Sequence, residues 1–397
     1  KMGAGCSCLG GTGVAGSEGG ELEGALKHIK GTAADQQLIS VLMILVSNAK
    51  FQKDGILNVS SNDLSSIPPQ IKSVDKYLTD LNISQNALTS LPIEIGDLLN
   101  LKTLDANDNK IKSLPARIGE LKKLETLLLY KNKLSTLPDE IGLLQACTNM
   151  NLFNNDLIKL PVALANLSKL EEFNAADNKL KTTPNLDGLT SLTRLALFNN
   201  NMVLMPKLEG LKSIQKVELY RNQLDNLPTI GTFGKMDEFL VANNRLTELP
   251  ANLGDQLALE CLEASRNYLT SIPDSIIFLA SLWKVMLADN KLTKLPPGLF
   301  SLPLRTLDIS SNLFEEVPDG LDRCGSMVNL MMSFNKITKI PQYMSSAFPS
   351  IKRLAYDGNP VTFEGEEGTA NLMVQQELTA KFSSMGQDGK FSGCATG

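Results

Sequence analysis

One spacing of leucine and asparagine recurs along most of the chain and constrains its fold more than any other feature. The pattern L-x-x-L-x-L-x-x-N-x-L-x-x-L-P, of which Leu124 to Pro138 is a clear copy, places an asparagine every 22 to 24 residues. Self-similarity at such a period is the signature of a solenoid, in which similar coils stack on one another. The fourteen asparagines are Asn62, Asn86, Asn109, Asn132, Asn155, Asn178, Asn200, Asn222, Asn244, Asn267, Asn290, Asn312, Asn335 and Asn359.

The chemistry of one copy predicts a strand on one side of each coil. Leu127 and Leu129 alternate with variable positions, so they bury two side chains of one short strand. The chain must then turn sharply, and backbone N–H and C=O groups inside the bend need partners. The short amide side chain of Asn132 offers both donors and an acceptor, so stacked copies predict a ladder of buried asparagines. The Leu-x-x-Leu-Pro segment returns along the opposite side, where proline is tolerated.

The repeat resembles that of the leucine-rich-repeat family, in the intracellular 23-residue form with L-P-x-x-I-G, as at 137–142. The resemblance covers about three quarters of the chain. It implies an α/β solenoid, a right-handed superhelix of about fourteen coils with a parallel β-sheet on the concave face and helical caps at both ends. Three central copies, with Pro184, Pro206 and Pro228 in their return segments, look more like the 22-residue repeats of phosphatase-regulatory leucine-rich proteins.

Segments on either side of the repeats are predicted to cover the ends of the solenoid, which would otherwise expose core. Apolar residues from Leu38 to Ala49 recur at helical spacing before the first copy, and Leu378 and Phe382 suggest a second helix after the last. The predicted division is 1–31 (Gly-rich flexible segment), 32–53 (N-terminal capping helix), 54–362 (solenoid), 363–386 (C-terminal capping helix) and 387–397 (loose tail).

The start of the chain carries a lipidation pattern. From Met2 onward it fits M-G-x-x-x-[ST], the N-myristoylation motif, with Gly3 as acceptor and with Cys6 and Cys8 as candidate palmitoylation sites. One myristoyl chain binds a membrane only marginally, with an association constant of about 10⁴ M⁻¹, whereas a second acyl chain makes the anchoring stable. The motif requires Met2 to be the initiator, although Lys1 precedes it. The alternative is a flexible Gly-rich tail that matches by chance.

The outward positions of the predicted strands form the candidate binding surface. Two residues before the asparagine, four of five successive copies carry an aromatic residue, with Ala176 between them. Aromatic residues bordered by arginine are typical of protein–protein interfaces. The alternative is packing between neighbouring strands, which stabilises a sheet without any partner. The predicted partner-binding residues are Leu128, Tyr130, Lys131, Phe153, Arg194, Phe198, Lys216, Tyr220, Arg221 and Leu240.

A weaker feature is a row of basic residues directly after the repeated asparagine. Stacking would align them along one edge of the solenoid, where an acidic partner or an anionic membrane surface could meet them. Solvated side chains that keep this edge soluble explain the row equally well. This basic edge consists of Lys110, Lys133, Lys179, Arg245, Lys291 and Lys336.

Composition and motifs argue against several classes of function. The 38 Lys+Arg against 43 Asp+Glu leave a net charge of −5, which disfavours a general nucleic-acid binder. The sequence has one histidine, His28, so a His-based triad or a multi-histidine metal site is excluded. The longest apolar run, 38–46, is shorter than the roughly 20 residues of a membrane-spanning helix. The G-x-G-x-x-G at 11–16 follows no strand, so it does not predict a nucleotide site.

We therefore predict a non-enzymatic adaptor or scaffold that binds a protein partner on its concave face, without cofactor, metal or small-molecule substrate. Six cysteines in 397 residues form no disulfide framework and no secretory signal is visible, which favours an intracellular protein held at a cytoplasmic membrane face by lipid. Two alternatives remain open. One is a structural subunit of a large ciliary or cytoskeletal assembly, and the other is a regulatory subunit in a phosphatase or small GTPase pathway.

Overall fold

Short parallel strands form one continuous sheet along the protein. The structure is a computed structural model that describes residue 38 and residues 53–228, 230–363, 365–385 and 390–392. In these residues, fifteen strands of three residues each pair in chain order. The strands are β1 (Ile56–Asn58), β2 (Asp80–Asn82), β3 (Thr103–Asp105), β4 (Thr126–Leu128), β5 (Asn149–Asn151), β6 (Glu172–Asn174), β7 (Arg194–Ala196), β8 (Lys216–Glu218), β9 (Glu238–Leu240), β10 (Cys261–Glu263), β11 (Lys284–Met286), β12 (Thr306–Asp308), β13 (Asn329–Met331), β14 (Arg353–Ala355) and β15 (Lys390–Ser392).

The register of the sheet aligns the repeated leucines into one core. Leu127 at the centre of β4 lies opposite Leu104 of β3 and Met150 of β5, and all three are fully buried. Leu129 is buried directly after β4, whereas the strand positions that flank Leu127 face outward. Because every coil repeats this arrangement, the core runs along the axis of the stack. This confirms the predicted α/β solenoid with a parallel sheet.

The return side of each coil consists of short 3₁₀ helices or turns. A typical helix, η3 (Ala116–Glu120), begins directly after Pro115, whose backbone is extended, and buries Ile118. Across the three central 22-residue copies, the described residues contain no 3₁₀ helix between η5 (Val162–Asn166) and η6 (Leu253–Asp255). The ten helices in the described residues are η1 (Pro69–Val74), η2 (Ile93–Asp97), η3 (Ala116–Glu120), η4 (Asp139–Leu143), η5 (Val162–Asn166), η6 (Leu253–Asp255), η7 (Asp274–Phe278), η8 (Pro297–Ser301), η9 (Leu321–Arg323) and η10 (Gln342–Ser345).

The asparagines bridge successive coils through their side chains. The Asn132 amide donates to the carbonyl oxygens of Ala106 and Leu129, both at 3.0 Å, and its Oδ1 accepts a hydrogen bond from the Ile111 N–H at 3.0 Å. Ala106 and Ile111 belong to the preceding coil. Of the fourteen repeated asparagines thirteen are buried, and Asn86 is half-buried. The stack is therefore held by amide hydrogen bonds as well as by apolar packing.

The residue before each of these asparagines has a left-handed backbone, a feature that the sequence analysis missed. The thirteen non-glycine residues at this position have φ between 51° at Asp108 and 59° at Ser61, and the fourteenth is Gly358 with φ 71°. Glycine, asparagine and aspartate adopt this conformation most readily, and together they fill seven of the fourteen positions. The left-handed residue turns the chain out of the strand and into the return segment.

The C-terminal end differs in part from the prediction. Helix α1 (Gly365–Ser384) lies inside the range 363–386, contacts η10, and buries Leu378 and Phe382 in the core. Its role as an end cap stays a prediction. Within the segment 387–397, predicted to be loose, β15 instead pairs in parallel with β14. The outer edge of β14 would otherwise present unpaired N–H and C=O groups, which explains the added strand. In the described residues no helix is apolar enough over a sufficient length to cross a membrane.

Most of the N-terminal part falls outside the described residues. Leu38 is helical and buried in the core. Lys53 and Asp54 are also helical, and Gly55 follows with a left-handed φ of 67°. The rest of the predicted helix 32–53 and the segment 1–31 lie outside the described residues, so the N-terminal cap stays a prediction.

Candidate binding surface on the concave face

Four aromatic side chains, Tyr130, Phe153, Phe198 and Tyr220, follow strands β4, β5, β7 and β8, and we call them the aromatic stripe. All four are half-buried. The rings of Phe198 and Tyr220 stack with their centroids 4.5 Å apart and their planes within 7°. Phe153 and Phe198 are 6.3 Å apart and tilted by 48°, and the side chain of Ala176 between their coils is fully buried. The rings of Phe153, Phe198 and Tyr220 therefore pack on one another, and each of the four rings keeps part of its surface open to solvent.

The charged residues beside the stripe form an ion-pair network. Arg194 Nε lies 2.9 Å from Glu218 Oε2, and Lys216 Nζ lies 2.6 Å from Glu238 Oε2 and 3.8 Å from Glu218 Oε1. Glu218 is only 5% exposed, so its negative charge depends on these two cations. Two of the predicted partner-binding cations, Arg194 and Lys216, are thus already paired within the sheet. The signal that could have revealed this is the opposite charges at neighbouring strand positions.

The network also affects ionisation on this face. Partial burial by itself lowers the pKa of Lys216, but the hydrogen bond to Glu238 and the charge of Glu218 outweigh it, so the pKa is raised. Burial and the nearby Glu218 carboxylate raise the pKa of Tyr220. Burial, together with the charges of Asp105 and Asp108, raises the pKa of Tyr130. Both tyrosines therefore stay neutral hydroxyl donors at physiological pH.

Beyond Tyr220 the concave face has a depression of 440 Å³, which we call the Tyr220 depression. The predicted residues Tyr220, Arg221 and Leu240 all line it. Its other lining residues come from the following coils and were not among the predicted binding residues: Glu238, Ala242, Asn243, Cys261, Glu263, Ser265, Arg266 and Lys284. The remaining predicted residues, half-buried Leu128 and exposed Lys131, lie beside Tyr130 at the other end of the stripe.

The predicted basic edge is exposed at all six positions, from Lys110 to Lys336. Two of its members have partners on the same edge. Lys179 Nζ lies 2.7 Å from Asp156 Oδ1, and this hydrogen bond lowers the pKa of Asp156. Lys291 Nζ lies 4.9 Å from the centre of the Tyr268 ring, a cation–π contact. Asp156 therefore neutralises one cation of the edge, whereas Tyr268 contacts another without neutralising it.

The remaining candidate sites lie away from the concave face or outside the described residues. Gly3, Cys6 and Cys8 lie outside the described residues. In the described part of the chain, no three His, Cys, Asp or Glu side chains are grouped closely enough to hold a metal ion. On the return side, Phe278 of η7 is 63% exposed, a position that sequence reasoning did not identify.

Comparison with known proteins agrees with this architecture. No family model matches the chain. A leucine-rich repeat and calponin homology domain-containing protein of Drosophila melanogaster is 43% identical over 49 residues, which are 12% of this chain and 6% of that protein. A solved leucine-rich-repeat protein of Leptospira interrogans is 25% identical with a TM-score of 0.62, covering 83% of this chain and 97% of that one.

The chain has the leucine-rich-repeat solenoid fold. A third similarity extends to the plant peptide hormone receptor RGFR1 in complex with RGF2, with 27% identity and a TM-score of 0.69. That match covers 79% of this chain and 53% of the receptor chain, so this protein spans about half the length of the receptor. The short Drosophila match is likewise a small part of a longer protein.

Proposed function

We propose that this protein is a non-enzymatic adaptor that holds a protein partner in the concave face of its solenoid. The observation that carries the proposal is the aromatic stripe. Four rings lie on the solvated side of a sheet whose apolar core is complete on the other side. Packing between the rings accounts for part of their burial, and a partner would cover the ring surface that stays open.

Two further observations support a partner on this face. Helix α1 packs against η10 and β15 at the far end of the stack, several coils from the stripe on β4 to β8, and leaves the stripe uncovered. The plant peptide hormone receptor RGFR1, whose solenoid is similar to this one, is solved in complex with RGF2. A solenoid of this kind is therefore suited to capture protein or peptide segments.

A matched pair of variants tests the proposal. The double substitution Tyr130→Ser and Tyr220→Ser removes two rings of the stripe, whereas Phe278→Ser removes an exposed ring from the return side. Affinity capture on the full chain is quantified by mass spectrometry. A partner that the wild type captures should be absent with the double variant and present with Phe278→Ser. Melting temperatures should change by only a few degrees, because an aromatic pair contributes about 1 kcal/mol. Equal capture by all three proteins would refute a concave binding site.

We also propose that Gly3 is myristoylated and that Cys6 or Cys8 is palmitoylated, which would hold the adaptor at a cytoplasmic membrane face. The support is the sequence motif and the need for two acyl chains for stable anchoring. Mass spectrometry of the native N-terminal peptide tests it. An unmodified or internal Gly3 would contradict the proposal and leave the concave adaptor role in place.

A further inference from the structure

The Tyr220 depression has chemistry that restricts what the concave face can bind. We infer that it takes an acidic, extended peptide segment of the partner, with one large apolar side chain seated against Tyr220. This inference rests on the proposed adaptor function, because it assigns a ligand class to part of the same face. It does not depend on the lipid anchor.

The apolar half of the depression is an open ring face above small residues. One face of Tyr220 stacks on Phe198 of the preceding coil at 4.5 Å. Its opposite face is turned toward the next coil, where the equivalent residue is Ala242, whose short side chain is buried. Leu240, half-buried, completes the floor. An aromatic or large aliphatic side chain from a ligand could therefore continue the stack that ends at Tyr220.

The other half is a row of hydrogen-bond donors along one rim. Arg221, Asn243 and Arg266 occupy the same left-handed position in three successive coils. Neighbouring strands are about 4.8 Å apart, so the two arginines start roughly 10 Å from each other. Both side chains are exposed, and neither guanidinium has a carboxylate within ion-pair distance in the described part of the protein. Arginine pairs with carboxylates through two parallel hydrogen bonds, which makes this rim suited to acidic side chains.

The remaining charges of the lining do not cancel the rim. The lining holds three cations, the third being Lys284, against the two carboxylates of Glu238 and Glu263. Glu238 is already paired with Lys216 at 2.6 Å, and one Glu263 oxygen accepts the Ser265 N–H at 3.3 Å. The residues that line the Tyr220 depression therefore carry a net charge of +1, whereas the whole chain carries −5. This local reversal of sign favours an acidic ligand and opposes a basic one.

The spacing of the rim also sets the spacing of the ligand. An extended chain advances about 3.3 Å per residue and turns every second side chain to the same face, so side chains four positions apart lie about 13 Å apart on one face. Two acidic residues four positions apart, with the apolar side chain at the middle position, would therefore face the depression together, and the long side chains of Arg221 and Arg266 can reach them. A neutral or basic segment would leave the two guanidinium groups without partners.

Selection from a library of short random linear peptides, displayed on phage, tests the inference on the full chain. Peptides enriched on the wild type should carry an aromatic or large aliphatic residue near two acidic residues. Their affinity should fall about tenfold for the double variant Arg221→Glu and Arg266→Glu, because each attraction becomes a repulsion. The matched control, Arg305→Glu with Arg323→Glu, makes the same change in net charge at exposed arginines outside both the depression and the basic edge and should keep the affinity.

Three outcomes would overturn the assignment. The enriched peptides could be basic or lack acidic residues. The two double variants could lose affinity equally. Selection could also yield no peptide that binds the wild type better than it binds the Arg221→Glu and Arg266→Glu variant. A fourth is concentration-dependent self-association in sedimentation velocity that the same variant abolishes, since a second copy of this acidic chain would then fill the depression. Circular dichroism of each variant shows that it is folded.

The result is separable from the proposed function. Loss of peptide or partner binding in the Tyr130→Ser and Tyr220→Ser variant, with full binding in the arginine variant, would keep the concave binding site and reject the acidic ligand class. Partner capture that survives the loss of the tyrosines would reject the concave site itself.

Discussion

Replacing one ladder asparagine tests how much the buried amides contribute to the solenoid. Asn132→Ala removes the acceptor of the Ile111 N–H, and this N–H has no other hydrogen-bond partner among the described residues. The three carbonyl oxygens that lose the Asn132 amide keep other donors. Ala106 O still accepts from Asn109 at 3.2 Å, Leu129 O from Asn155 at 2.9 Å, and Tyr130 O from the Asp108 N–H at 2.9 Å. The substitution therefore leaves one buried donor without a partner and a small cavity.

These two effects set the expected magnitude. An unsatisfied buried N–H costs about 1–3 kcal/mol, and the cavity left by the amide adds about 1 kcal/mol. We expect the free energy of unfolding to fall by about 3 kcal/mol in urea titrations followed by circular dichroism. Because each coil contacts only its neighbours, hydrogen exchange by mass spectrometry should show the largest increase in the peptides that contain Ile111 and Asn132.

The control for this experiment is Asn201→Ala, at the position directly after the ladder asparagine Asn200. Asn201 is exposed, and its side chain makes no hydrogen bond in the described structure. This substitution should change the free energy of unfolding by less than about 0.5 kcal/mol. If Asn132→Ala costs no more than the control, or if exchange near Ile111 is unchanged, the ladder does not hold the coils together as argued above.

Two further predictions concern packing and reactivity. Gly119→Ala should lower the free energy of unfolding by about 2 kcal/mol, because its Cβ would lie 2.6 Å from a carbonyl oxygen of the facing coil. Gly325→Ala, which has open space around it, should leave the free energy of unfolding unchanged, and equal urea midpoints for the two variants would contradict the close approach at Gly119. Burial raises the pKa of Cys147 to about 12, so this thiol should stay unlabelled by iodoacetamide at pH 8 until urea unfolds the protein. Peptide mapping measures the labelling, and rapid labelling of the native state would show that the thiol is accessible.

The strands and the amide bridges could be read from the sequence because each copy encodes its own coil. Leu127 and Leu129 point inward because apolar and variable positions alternate along the strand, and the bend at Asn132 follows from the hydrogen bonds of its amide. The same pattern recurs in fourteen copies. The left-handed residue before each asparagine was missed, although the asparagine and aspartate residues that gather there were its signal. Other residue types, such as Phe334 with φ 55°, also adopt the left-handed conformation at this position because the surrounding coil constrains them. The mixture of residue types therefore hides the conformation in the sequence.

The sequence was sufficient to predict where the aromatic residues of the candidate site lie, but not which of its charged residues form ion pairs. The aromatic stripe followed from counting two residues back from the asparagine, and the structure adds the stacking of Phe198 on Tyr220. Arg194 and Lys216 were expected to serve a partner, but they are paired with Glu218 and Glu238. Ion pairs depend on which side chains reach each other across neighbouring coils, and the repeat pattern does not specify the rotamers that decide this.

The period, the inward leucines, the buried amides and therefore the solenoid follow from local sequence alone, because these are short-range properties that recur in every coil. The charge and the edges of the stacked surfaces follow from the packing of the coils. It neutralised some cations and left Arg221 and Arg266 unpaired on one rim, and it added β15 to the edge of β14 in a segment whose composition suggested no structure. Each of these outcomes depends on contacts between residues that are 20 or more positions apart in the chain, and only the stacking of one coil on the next brings such residues together.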